Sequence, residues 1–206
     1  MRLIMEISKK DALVIVDMQY DFLPEGTFPQ ANGEIIIPML NKYIELFTSH
    51  QTAIFFIIDW HPVNHCSFQS NGGRLPVHCV EGTHGASIHA FLKVPADAII
   101  IRKGTNHDKD IHCLFEESSF DSNLKANRIT TLFIGGIATE FDVKDTAIEA
   151  CHQGYNVFLL SDAIKEADIT PGSSALAMKQ MKEVGTKAIQ IKDLIIDPNL
   201  GELLVP

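Results

Sequence analysis

Apolar residues along this chain fall into short continuous runs, separated by stretches in which they recur every three or four positions. The continuous runs are Ala12–Val16, Ala53–Ile58, Ala98–Ile101, Thr131–Ile134, Val157–Leu160 and Ala188–Ile191. Runs that do not alternate apolar with polar suit strands covered on both faces, as in a parallel sheet between helices. The intervening stretches read as helices. Ile36, Met39, Leu40, Tyr43 and Phe47 make one apolar face. A second helix is predicted from about Thr139, burying Val143, Ala147, Ala150 and Cys151. A third takes Thr170 as N-cap and Pro171 as its first residue, with Gly185 just past its end. Strands alternating with helices through right-handed crossovers predict an α/β fold: a doubly wound, mainly parallel six-stranded sheet with helices on both faces. The 206 residues suit a single domain spanning 1–206, with no internal repeat and no low-complexity linker.

Composition narrows the partners. The chain is 46% hydrophobic with a net charge of −9. It has no Lys/Arg run to track phosphates, which argues against nucleic acid. No stretch approaches the ~18 apolar residues that span a bilayer, so no membrane partner is expected. The N-terminus lacks a signal-peptide layout, because Asp17 follows the short apolar stretch at once. The expected location is the cytoplasm. There Cys66, Cys79, Cys113 and Cys151, which form no CxxC pair, read as free thiols. The number of copies is left open, a homo-oligomer among the options.

In open parallel sheets, ligands bind beyond the carboxyl ends of the strands. Asp17 follows the first predicted strand, Asp59 and His61 the second, and Lys103 the third; Gly135 to Thr139 follow the fourth and open a helix. Any one of these reads as a cap or a solvated residue; four consecutive strands aiming such groups at one edge read as a site. Asp59, His61 and His65 lie within seven residues, and His78 follows in a long irregular stretch over 61–95. A carboxylate with imidazoles suits one divalent transition metal, Zn, Fe or Mn. His65 is either a ligand or a residue that orients one. Asp17 and Lys103 read equally as an acid/base pair or as a structural ion pair closing the sheet edge. The small residues of GGIATEFDVKDTA let backbone N–H groups face a ligand at a helix start. The spacings of the nucleotide-binding glycine loops are absent.

The segments VDMQYDF, DWHPVNHCSF, PVHCVEGT, RKGTN and GGIATEFDVKDTAIEA occur in this order. Together they resemble the nicotinamidase/pyrazinamidase branch of the isochorismatase-like cysteine hydrolases, from about residue 11 to about 191. The resemblance implies hydrolysis of nicotinamide to nicotinate and ammonia through a thioester on a cysteine. It implies catalytic roles for Asp17 and Lys103, and metal ligation by Asp59, His61 and His78, with His65 a ligand in some members. It implies an oxyanion hole from the backbone N–H groups of Ala138 and Asp142, and a cis peptide bond before Ala138.

Three positions depart from the family's pattern. Asp142 stands where the family keeps its nucleophilic cysteine, and a carboxylate is a far poorer nucleophile toward an amide than a thiolate. Leu75 replaces a tryptophan, and His112 an aromatic, of the ring pocket; Phe22 survives. The sequence therefore predicts a nicotinamidase-like metal-binding amidohydrolase, acting on a small pyridine carboxamide-like ligand and impaired at Asp142. Two alternatives stand beside it. One is a cysteine-less hydrolase using Asp17, Asp142 and metal-activated water on another small substrate. The other is a pseudoenzyme that binds such a ligand without turning it over.

Overall fold

The computed structural model describes residues 6–30, 32–111, 114–116, 118–167 and 170–194. Six strands form one sheet in the order β3-β2-β1-β4-β5-β6. They are β1 Asp11–Val16, β2 Ala53–Asp59, β3 Ile99–Lys103, β4 Thr131–Ile137, β5 Asn156–Lys165 and β6 Lys187–Ile189. Every pairing is parallel, so the expected "mainly parallel" sheet is wholly so among the described residues. Strand β1 lies between β2 and β4, with Val14 opposite Phe55 on one side and Ile134 on the other.

Alternation of side chains across β1 builds two cores. Leu13 and Ile15 pack with Leu40, Tyr43, Ile44 and Phe47 of helix α1, Ile37–Ser49. Ala12, Val14 and Val16 pack on the other face with three helices. These are α2 Ser118–Ala126, α3 Lys144–His152 and α4 Ser173–Glu183. Both faces of β1 are therefore sealed, which explains its unbroken apolar sequence.

The structure departs from the sequence expectation in four places. Helix α2 was not expected, because SSFDSNLKA carries only Phe120 and Leu124 as buried anchors among the described side chains. The helix expected from Thr139 opens instead as a π-helical turn, Thr139–Val143, before α3 begins. Helix α4 starts after Gly172, whose φ of 85° is left-handed, so Thr170 and Pro171 belong to the preceding turn. Ile191 leaves the sheet: its N–H donates to the Asp162 carboxylate at 3.0 Å instead of to a neighbouring strand.

Candidate active site

The sheet order reverses direction between β1 and β4, and a cleft opens there at the carboxyl ends of the strands. Asp17 follows β1 and turns the chain with a φ of 54°, a left-handed conformation that aspartate tolerates. Asp59 ends β2 and stands in register with Lys103, which ends β3. After β4 the Ile137–Ala138 peptide is cis, as the resemblance implies. Gly136 just before it has a φ of +115°, and a Cβ there would lie 2.1 Å from the Val16 carbonyl oxygen. Only glycine lets β4 pass this close to β1. The resulting cavity, of about 170 Å³, is lined by Asp17, Asp59, His61, His78, Lys103 and Asp142 on its polar side. Pockets for drug-sized ligands run to roughly 300–1,000 Å³, so this one suits a single small molecule.

Asp59, His61 and His78 are all buried, with potential ligand atoms within 4.8 Å of one another. His61 Nδ1 lies 3.0 Å from the Gly104 carbonyl oxygen, and His78 Nδ1 lies 2.8 Å from that of Pro76. A carbonyl only accepts, so in a neutral ring Nδ1 carries the proton and Nε2 presents its lone pair. The two Nε2 atoms lie 3.5 and 3.7 Å from Asp59 Oδ2. Two lone pairs and a carboxylate oxygen converging this closely repel one another unless a cation lies between them. Backbone carbonyls fixing the outer nitrogens are the usual support of histidine ligands. The donor set therefore fits a divalent transition metal. Phe68, fully buried, holds both imidazoles edge-on, at 5.6 Å from His61 and 5.4 Å from His78.

The Lys103 ammonium, itself buried, meets three carboxylates. It contacts Asp59 Oδ1 directly and lies 3.2 Å from Asp17 Oδ2 and 3.5 Å from Asp142 Oδ1. Burial disfavours the lysine's charge, but Asp142, Asp17 and Asp59 together hold its pKa well above the ordinary value. Burial pushes the Asp17 carboxyl well above the usual carboxylate range; Lys103 opposes this, and Asp142 and Asp59 reinforce it. Burial acts the same way on Asp59, yet the Lys103 charge leads the opposing influences and that carboxyl is held low. The site thus separates a carboxyl suited to carry a proton from one suited to remain an anionic ligand.

The isochorismatase domain, as a sequence family, matches residues 11–193 of this chain. The chain belongs to that family. A nicotinamidase of Acinetobacter baylyi is 34% identical to it, across 90% of this chain and 94% of that protein. The pyrazinamidase of Pyrococcus horikoshii, solved in complex with zinc, is 41% identical with a TM-score of 0.84, covering 88% of this chain and 99% of that one. PnC1 from L. infantum, solved in complex with nicotinate, is 30% identical with a TM-score of 0.85, covering 95% and 100%. Among the described residues of this isochorismatase-family chain, no helix is long and apolar enough to cross a membrane.

Of the residues singled out from the sequence, Asp17, Asp59, His61, His78, Lys103, Ala138 and Asp142 all line one cavity, as do Phe22 and Leu75. His112 lies outside the described residues, as does Cys113. His65, expected either as a ligand or as a residue that orients one, is not in the converging group of Asp59, His61 and His78. Its Nδ1 meets the Ser67 hydroxyl at 2.8 Å and its Nε2 meets the Lys109 carbonyl at 3.2 Å, so both ring nitrogens are engaged. The ring packs on His61 with centroids 4.2 Å apart, and burial and then His61 lower its pKa. No described cysteine lines the cavity. Cys79 is buried, and burial followed by the charges of Asp59, Asp17 and Asp21 pushes its thiol pKa far up, away from a nucleophilic thiolate.

Two supporting residues escaped the sequence reading. The Gln19 side chain donates to the Asp59 carbonyl at 2.7 Å and to that of Ala86 at 2.9 Å, and accepts the Asp59 N–H at 2.7 Å. It clamps the backbone of a metal-ligand candidate. Asp21 accepts the Cys79 N–H at 2.7 Å, holding the turn that presents His78. Both sit in VDMQYDF, two and four residues after Asp17. Their presence in one motif was the available signal, but nothing local says where their side chains reach.

Proposed function

We propose that this chain is a nicotinamidase-like amidohydrolase that holds one divalent transition metal and acts on a small, ring-borne carboxamide, with water rather than a side chain attacking the carbonyl. The observation that carries this reading is the convergence of Asp17, Lys103 and Asp142 beside Asp59, His61 and His78 on one small cavity. Bound to those three ligands, a divalent cation supplies Lewis acidity to whatever ligand atom faces it. The zinc in the Pyrococcus horikoshii relative supports zinc as that ion. The nicotinate in the L. infantum relative supports a pyridine carboxamide as the ligand class.

The chain's own groups divide the work. Asp17, with its raised pKa, accepts a proton as water adds to the carbonyl carbon, and returns it to the leaving nitrogen as the C–N bond breaks. Lys103 and the backbone N–H groups of Ala138 and Asp142 offset the charge that develops on the carbonyl oxygen. Phe22 and Leu75 bound the ring. Attack by Asp142 itself would give an anhydride from a poor nucleophile. Its carboxylate instead adds negative charge beside Asp17, reinforcing the effect of burial in keeping that residue basic. Without a thiolate, turnover of nicotinamide is slow.

The test is ammonia release from nicotinamide by zinc-loaded protein. We expect weak wild-type turnover that survives thiol alkylation. Asp142→Cys should raise it at least about tenfold and make it sensitive to alkylation, because a thiol beside an acid/base pair supplies a nucleophile. No ammonia from the wild type, from Asp142→Cys or from Asp142→Cys combined with Leu75→Trp would sink the hydrolase reading and leave a ligand-binding protein.

A further inference from the structure

Four aspartates line the cavity, Asp17, Asp59, Asp110 and Asp142, against one lysine, Lys103. Asp110 is exposed. The other three converge on the lysine. Its ammonium has three N–H bonds, and Asp59, Asp17 and Asp142 are three partners for them. No ammonium proton is left over for an anionic ligand. A divalent ion held by Asp59, His61 and His78 adds two positive charges, which together with Lys103 balance these three carboxylates and no more.

Asp142 is the open member of the three. Its side chain keeps 18% of its surface exposed, against 3% for Asp17 and 9% for Asp59. Its Oδ1 is buried on the Lys103 side, so the accessible part is the remainder of the side chain. Burial acts first on the ionisation of both Lys103 and Asp17, and Asp142 is the strongest of the carboxylates acting on each. Its charge is thus felt across the whole polar end of the cavity. A carboxamide and a carboxylate are both planar and nearly equal in size, so shape alone does not tell an amide from its acid. Charge does. Repulsion between like charges needs no contact and strengthens where water is excluded. A head group placed between Lys103 and the Asp142 N–H lies close to the Asp142 carboxylate, because both belong to one residue.

We infer that Asp142 is a specificity-determining residue that excludes carboxylates, so that the cavity binds an uncharged ring carboxamide and expels the acid formed from it. This rests on the reading of the cavity as a ring-amide site and deepens it. The ligand class is restricted to head groups without negative charge, and the carboxylate product is released instead of occupying the site. Discrimination by a built-in repulsive group is a general route to specificity, and like charges brought together in a closed site are its strongest form.

The experiment is equilibrium binding of nicotinamide and nicotinate to zinc-loaded protein at neutral pH, where the acid is ionised. The wild type should bind the amide at least roughly tenfold more tightly than the acid. Asp142→Asn keeps the side chain's shape and Asp142→Ala removes it; both remove the charge, and both should bring the ratio down to about one. Asp142→Glu keeps the charge and should keep the preference. Wild-type affinities that are equal, or that favour the acid, overturn the inference without any variant. A preference for the amide that persists unchanged in both neutral variants overturns the role of Asp142 while leaving the ring-amide site standing. Failure of the wild type to bind either ligand overturns the ring-amide reading and this inference with it. A crystal structure of the wild type with nicotinamide gives a readout that does not depend on a variant folding. The carboxamide should lie within about 6 Å of the Asp142 carboxylate, the range over which charges govern one another's ionisation; a head group directed to the other end of the cavity overturns the inference.

Discussion

Lys103 Nζ lies 3.2 Å from Asp17 Oδ2 although their strands, β3 and β1, are not neighbours. Strand β2 runs between them, so their backbones are about 10 Å apart at two strand spacings. The lysine side chain spans that distance over Asp59, which ends the intervening strand, and contacts it on the way. One cation thus ties three strand ends together and neutralises charge that would otherwise open the cleft.

Removing that cation leaves three carboxylates facing one another in a buried site. Lys103→Met should lower unfolding stability in urea by about 3–5 kcal/mol. Lys93→Met removes an ion pair with Glu45 in which the lysine is 64% exposed. It should cost less than about 1 kcal/mol. Similar urea midpoints for the two variants would show that the buried cluster contributes no more than a surface pair.

Metal binding should depend on the three convergent side chains. Elemental analysis of purified protein is expected to find about one transition metal per chain, and Asp59→Ala/His61→Ala should abolish it. Zinc at a hundred times its dissociation constant should stabilise the wild type by about 2.7 kcal/mol and leave the double variant unmoved. Undiminished metal content in the variant would remove the assignment.

Gly104 offers a sharper test of how the ligands are held. A Cβ there would lie 2.3 Å from His61 Cε1, and its φ is +65°. Gly104→Ala should displace the imidazole from the carbonyl that orients it and weaken zinc affinity by roughly 10–100-fold. Gly72 has a φ of +89° with open space around it. Gly72→Ala carries the same kind of backbone strain, yet should leave zinc affinity unchanged in a chelator competition. Equal losses in both variants would point to general destabilisation, not to the His61 contact.

Much of this site could be read before the structure, for local reasons. A strand sealed on both faces must be apolar throughout, so Ala12–Val16 and Ala53–Ile58 announce themselves, and the first polar residue after each marks where the chain leaves the sheet. That places Asp17 and Asp59 at one edge, with Lys103 two residues past the third run, and Asp59 and His61 are close enough in sequence to suggest a shared ligand. Helix α2 lacks such a signature, because two buried anchors in a polar stretch make no periodic pattern.

Other features depend on partners some forty residues away. Both ring nitrogens of His65 are engaged, by the Ser67 hydroxyl and by the Lys109 carbonyl; only packing of the later loop supplies the second of these. Gln19 and Asp59 are 40 residues apart, and their backbone clamp exists because β1 and β2 end side by side. The sharing of one ammonium by three carboxylates is also a tertiary fact: an aspartate in sequence is merely acidic, and the fold is what brings Asp17, Asp59 and Asp142 onto Lys103. Composition and periodicity report how each segment meets solvent, whereas hydrogen-bond satisfaction depends on which distant groups the fold brings within about 3 Å.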